Sequence, residues 1–185
     1  VQSFQSTFID IDHDGHLDLH VINDRIYTPN VFYHNNGDGT FLDMSNMWSV
    51  DLGIYAMSSS FGDYDRDGDM DLYVTNGLEG NSLLRNDLDD SGIFVDIADQ
   101  EGLVVSQMCW GACWFDHNNN TWPDLYVASG MTAYTEIPDV FDSFGYQPNQ
   151  FFVNQGESPM LNASSSTPVI DQYSFAVAAG DINND

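Results

Sequence analysis

Aspartates placed at alternate positions and closed by a glycine carry the clearest chemistry in this chain. In Phe61-Gly-Asp63-Tyr-Asp65-Arg-Asp67-Gly68-Asp69-Met-Asp71-Leu-Tyr-Val-Thr-Asn76, carboxylates occupy positions 1, 3, 5 and 9 of a short loop. A hard cation such as Ca²⁺ takes six to eight oxygen ligands, and a loop with a carboxylate on every second residue can wrap it. Asp69, at position 7, offers its backbone carbonyl, and Gly68 permits the sharp turn. Without a cation the aspartates repel and raise one another's pKa values. An EF-hand begins in the same way but needs a glutamate at position 12 and flanking helices. Position 12 here is Val74, inside a run that alternates like a strand. The motif is a loop feeding a β-strand.

The loop recurs along the chain. Loop one holds Asp10, Asp12, Asp14, Gly15, His16 and Asp18, and loop three holds Asp116, Asn118, Asn120, Thr121, Trp122 and Asp124. Loop four begins with Asp181, Asn183 and Asp185 and has no position 9 in this chain. First aspartates at 10, 63, 116 and 181 give intervals of 53, 53 and 65 residues. A period of this size signals a repeat architecture, and four-stranded propeller blades have similar lengths. Loops one and two are read as complete calcium sites. Loop three, with two asparagines and Thr121 in place of glycine, is a weaker third, and loop four is incomplete.

These motifs resemble the FG-GAP/VCBS repeat of integrin α-subunit propellers and many secreted proteins. Trp110-Gly-Ala-Cys-Trp-Phe-Asp-His-Asn-Asn and Asn35-Asn-Gly-Asp-Gly-Thr-Phe are more closely similar to repeats of ASPIC/UnbV, cartilage-acidic-like proteins. The resemblance implies an all-β fold, calcium, an extracellular setting, and a role in adhesion, matrix or surface assembly.

The repeats align as four strands each. First strands are expected at Val1–Ile9, Tyr55–Gly62, Met108–Phe115 and Tyr173–Gly180, and second strands at Leu17–Asn23, Met70–Asn76 and Asp124–Ser129. Third strands are expected at Val31–Asn35, Ser82–Asn86 and Gln150–Asn154, and fourth strands at Thr40–Met44, Ile93–Ile97 and Met160–Ala163. Blade repeats therefore run over about 1–50, 51–103 and 104–168, with a further blade starting at 169–185. Phe8, Phe61 and Trp114, just before each loop, are expected to wedge between blades. Three blades and one strand cannot close, because propellers need about four to eight blades. The expectation is a segment of a longer chain or larger assembly, with seven or eight blades in the complete ring.

Composition excludes some functions. The 185 residues carry 29 acids and three arginines (Arg25, Arg66, Arg85), for a formal charge of −26. Nucleic-acid binding, which relies on Lys and Arg at phosphates, is not expected. No apolar run is long enough to span a membrane. Cys109 and Cys113 lie four residues apart in one expected strand, about 13 Å at about 3.3 Å per residue. Pairing needs Cα atoms within about 7 Å, so they read as small buried thiols. His13, His16, His20, His34 and His117 read as exposed polar positions, and no Ser-His-Asp or Cys-His nucleophile arrangement is present. The chain is not read as an enzyme.

The extra length of the third repeat falls at Gly130–Asn149, on the face opposite the metal loops, where its aromatics suit a partner contact. The expected function is a calcium-binding extracellular scaffold that engages a protein partner, sibling chains or a glycan. The alternative is a carbohydrate-active propeller, either a lectin module with Tyr27, Trp122 or Tyr146 against sugar rings or part of a polysaccharide lyase.

Overall fold

The computed structural model describes residues 2–77, 79–130, 148–166 and 174–180. Twelve strands form three antiparallel four-stranded meanders, ordered β1-β2-β3-β4, β5-β6-β7-β8 and β9-β10-β11-β12. Sheet one comprises β1 (Ser3–Ile9), β2 (Asp18–Asn23), β3 (Val31–Asn35) and β4 (Phe41–Asp43). Sheet two comprises β5 (Ser59–Gly62), β6 (Asp71–Val74), β7 (Ser82–Asp87) and β8 (Ile93–Asp96). Sheet three comprises β9 (Cys109–Phe115), β10 (Asp124–Ser129), β11 (Gln150–Val153) and β12 (Leu161–Asn162). The described residues hold no α-helix, and their fold is all-β with sheets arranged as propeller blades.

Each expected strand within these sheets forms, most at nearly the expected bounds, but β5 begins at Ser59 rather than Tyr55. Residues 174–180 do not form the strand expected at Tyr173–Gly180. No described strand pairs with them, so no ladder fixes an extended backbone. The segment nevertheless runs beside β9: a Cβ added to Gly111 would meet Ala176 Cα at 3.1 Å. Residues 131–147 of the third-repeat insertion lie outside the described residues, as do 181–185 of loop four.

Two apolar clusters sit between successive sheets. One gathers Ile22, Phe32, Trp48, Leu72 and Phe94, and the other Tyr73, Leu83, Leu103, Leu125 and Phe152. The aromatics before loops two and three wedge against the preceding sheet, as expected, whereas Phe8 does not. Phe61 stands edge-on to Phe32 and to His20. Trp114 stands edge-on to Tyr73 and donates its indole N–H to the Ser60 carbonyl (3.3 Å). Phe8, with no sheet on that side, is 61% exposed.

His20 overturns the expectation of an exposed polar position. It is 1% exposed, stacked on Phe32 at 5.3 Å, and neither ring nitrogen has a hydrogen-bond partner. Its strand alternation is real, but the inter-sheet side is the buried one. Burial alone pushes its pKa down to about 3, so the ring is neutral. Both cysteines are unpaired in β9, with Cys109 buried and Cys113 half-buried.

Candidate metal centre

Each loop is preformed by aspartate and asparagine side chains that accept backbone N–H bonds two residues on. In loop one, Asp12 Oδ1 accepts from Asp14 N–H (3.3 Å) and Asp14 Oδ1 from His16 N–H (2.8 Å). In loop two, Asp65 Oδ1 accepts from Asp67 (3.4 Å) and Asp67 Oδ1 from Asp69 (2.9 Å). Loop three repeats the pattern, Asn118 accepting from Asn120 (3.0 Å) and Asn120 from Trp122 (2.8 Å). The alternate residues that could bind an ion therefore first shape the loop.

Position 9 has a second task that its residue type alone did not reveal. Asp18, Asp71 and Asp124 are fully buried and tie their loop to the third strand. One oxygen accepts the N–H of Ile11 (3.2 Å), Tyr64 (3.0 Å) or His117 (2.8 Å). The other accepts the N–H of Asn35 (2.8 Å), Asn86 (2.9 Å) or Asn154 (2.8 Å). Each carboxylate oxygen retains further lone pairs, so this tie leaves room for an ion.

In loop one, ligand atoms of Asp10, Asp12 and Asp14 lie within 4.8 Å of one another. In loop two, those of Asp63, Asp65 and Asp71 do so. Asp10 Oδ1 and Asp63 Oδ1, both at position 1, are buried and have no hydrogen-bond partner. A buried carboxylate oxygen left unpaired is costly, and a bound cation would satisfy it. Loops one and two thus fit a calcium ion, with the position-7 carbonyls of His16 and Asp69 as further oxygens. Loop three fits less well. Asp116 has both oxygens engaged, by Asn120 N–H (3.1 Å) and Thr121 N–H (2.6 Å). Thr121 also adopts φ 73° where the other loops have glycine.

The electrostatics follow the same division. Desolvation and then the charges of Asp18 and Asp14 push Asp12 up, and desolvation with Asp67 pushes Asp65 up. Desolvation pushes Asp69 up as well, ahead of the charge of Asp67. Asp71 rises to about 8, burial outweighing the N–H bonds from Asn86 and Tyr64. For Asp116, desolvation is outweighed by backbone N–H groups led by Thr121, which hold the carboxyl below its usual range.

Two further features lay outside the sequence reading. His34, on β3, brings Nδ1 to 3.1 Å from Asp18 Oδ1 and 3.3 Å from Asp12 Oδ2, so it borders loop one. Position 4 reaches from one loop to the next. His13 Nε2 lies 3.2 Å from the Gly68 carbonyl and 3.3 Å from Asp69, and Arg66 lies over the Trp122 ring at 5.3 Å. His13, Arg66 and Asn119 share positive φ there, of 58°, 62° and 58°. His16 places its ring beside Gly37 in the β3–β4 turn. The fourth-loop residues Asp181, Asn183 and Asp185 lie outside the described residues.

A family model described as FG-GAP-like repeat matches residues 10–74, from the first aspartate of loop one to the end of β6. No curated protein matches the chain.

Proposed function

We propose that this β-propeller-like repeat chain, with its FG-GAP-like match over residues 10–74 as premise, is a calcium-binding extracellular scaffold without catalytic activity of its own. The observation that carries the reading is the unpaired, buried oxygen at position 1 of both loops, Asp10 Oδ1 and Asp63 Oδ1. Asp12, Asp14 and Asp18 would complete the site in loop one, and Asp65, Asp67 and Asp71 the site in loop two. Bound calcium supplies counter-charge, and the residues themselves hold the loops in register between first, second and third strands. With a formal charge of −26, two ions would leave a strongly acidic surface suited to partners with basic faces.

Adhesion or surface assembly, through a protein partner or sibling chains, is the role this scaffold would serve. Thermal unfolding in excess calcium and in excess EGTA tests the reading. Because an ion that binds only the folded state stabilises it by mass action, chelation should lower the melting temperature. An unchanged melt would refute it.

A further inference from the structure

The first and second inter-sheet junctions are built from equivalent residues, and comparing them isolates one change. At the first, the turn after β4 buries Trp48, 8% exposed, in one cluster with Ile11 and Phe94. Phe94 N–H donates to the Trp48 carbonyl (2.8 Å). At the second, Met160 N–H donates to the Glu101 carbonyl (3.2 Å), so Glu101 takes the place of Trp48. Tyr64 takes that of Ile11, since each donates its N–H to the position-9 aspartate. Gly156 takes that of Leu88, each donating to the Oδ1 of the third-strand asparagine (2.9 and 3.1 Å).

Replacing an indole by a carboxylate, a leucine by glycine and a phenylalanine by methionine leaves a cleft of about 220 Å³. Tyr64, Asp65, Glu101, Trp122, Glu157 and Met160 are among its lining residues. Glu101 is only 8% exposed, and a carboxylate buried to that degree is costly without a counter-charge. Two arginines border the cleft, Arg66 at Trp122 and Arg85 beside Tyr64, but among the described residues neither forms an ion pair with Glu101 or Glu157. Arg85 forks onto Asp87 at 2.7 and 2.9 Å, and Arg66 lies over Trp122.

We infer that this cleft binds an organic cation, a guanidinium or ammonium group on an alkyl stem. The stem packs among Tyr64, Trp122 and Met160, and the charge meets Glu101 and Glu157. Three carboxylates repel an anion, and a neutral sugar brings no counter-charge. Asp65 is committed to calcium in the metal reading, so Glu101 and Glu157 carry the recognition. The cation could come from a free amine or from a basic side chain of a partner.

Agmatine and the blocked peptide acetyl-Gly-Arg-Gly-amide, titrated into the full chain in excess calcium at physiological salt, test this by calorimetry and tryptophan fluorescence. At least one should bind saturably, about tenfold more weakly to Glu101→Gln, as loss of a charge-assisted bond implies. Glu101→Trp, which installs the residue of the first junction, should abolish binding. Glu101→Gln keeps the side-chain shape, so the test stands even if Glu101→Trp fails to fold. Tighter peptide binding points to a partner's side chain, and tighter agmatine binding to a free amine; both support the inference. No saturable binding of either probe, or binding unchanged in both variants, would overturn it. Methyl glucoside binding with the same dependence on Glu101 would overturn it too. Calcium stoichiometry should be the same in both variants, so this inference and the metal reading fail separately.

Discussion

The side-chain amide of Asn86 donates to the backbone carbonyl of Ile11 at 3.2 Å, joining the third strand of sheet two to loop one of sheet one. Asn154 repeats the bond to Tyr64 at 2.7 Å, joining sheet three to the loop of sheet two. Ile11 and Tyr64 are the residues whose N–H groups the position-9 aspartates accept. Loops one and two are therefore each held at one residue from both sides, by their own second strand and by the next sheet.

Loss of that amide should be felt as a buried hydrogen bond. Asn86→Ala and Asn154→Ala each leave a buried carbonyl without this donor and should cost about 1–3 kcal/mol. Asn35 bonds instead to Leu17 of its own sheet at an exposed position, so Asn35→Ala should cost less than about 1 kcal/mol. Urea unfolding of the three variants in calcium gives the ranking. Equal losses would show that the bonds between sheets have no special weight.

His20 sets the acid limb of stability. Its folded pKa, about 3, lies below the ordinary value of 6.5, so below pH 6.5 the unfolded chain binds the extra proton. In the calcium-loaded protein stability should then fall as pH drops from 6.5 towards 3, by up to about 1.4 kcal/mol per pH unit. His20→Phe should flatten that limb and add about 1 kcal/mol at neutral pH by removing two unpaired buried nitrogens. Parallel acid limbs in the two proteins would contradict this.

Asp71 acts in the opposite sense when metal is absent. Its folded pKa, about 8, lies above the ordinary 3.8, so its contribution is lost as pH rises towards 8. Between pH 6.5 and 8, above the window of His20, the EGTA-treated protein should lose stability and the calcium-loaded protein should not. Melting curves at several pH values in both conditions check the difference. Parallel pH profiles would contradict it.

The fold was largely legible in the sequence because the 53-residue spacing, the strand alternation and the aromatic before each loop all reflect one local rule. The loop residues were legible as oxygen donors for the same reason. The double duty of Asp18, Asp71 and Asp124 was not, since carboxylate spacing alone does not distinguish an ion from a backbone N–H. The third-strand asparagines did carry a signal. Asn35, Asn86 and Asn154 recur at the same place in each repeat, yet their partners lie as far as 90 residues away. His20 was misplaced because alternation fixes which residues share a face without saying which face another sheet covers.

Loop three should respond least to substitution of its ligands. Asp116 already has both oxygens bonded to backbone, and Asn118 brings no charge. Asp65→Ala should abolish one calcium site and lower the melting temperature, whereas Asn118→Ala should leave calcium binding nearly unchanged. Equal loss of bound calcium in the two variants would place loop three on a par with loop two.

Calorimetric titration of the metal-free chain with Ca²⁺ shows whether loops one and two hold metal. Extracellular sites of this chemistry bind with dissociation constants on the order of 10⁻⁴–10⁻³ M. Two sites per chain in this range are expected, one lost in Asp10→Asn and the other in Asp63→Asn. The absence of saturable binding, or two sites that survive both substitutions, would contradict the account.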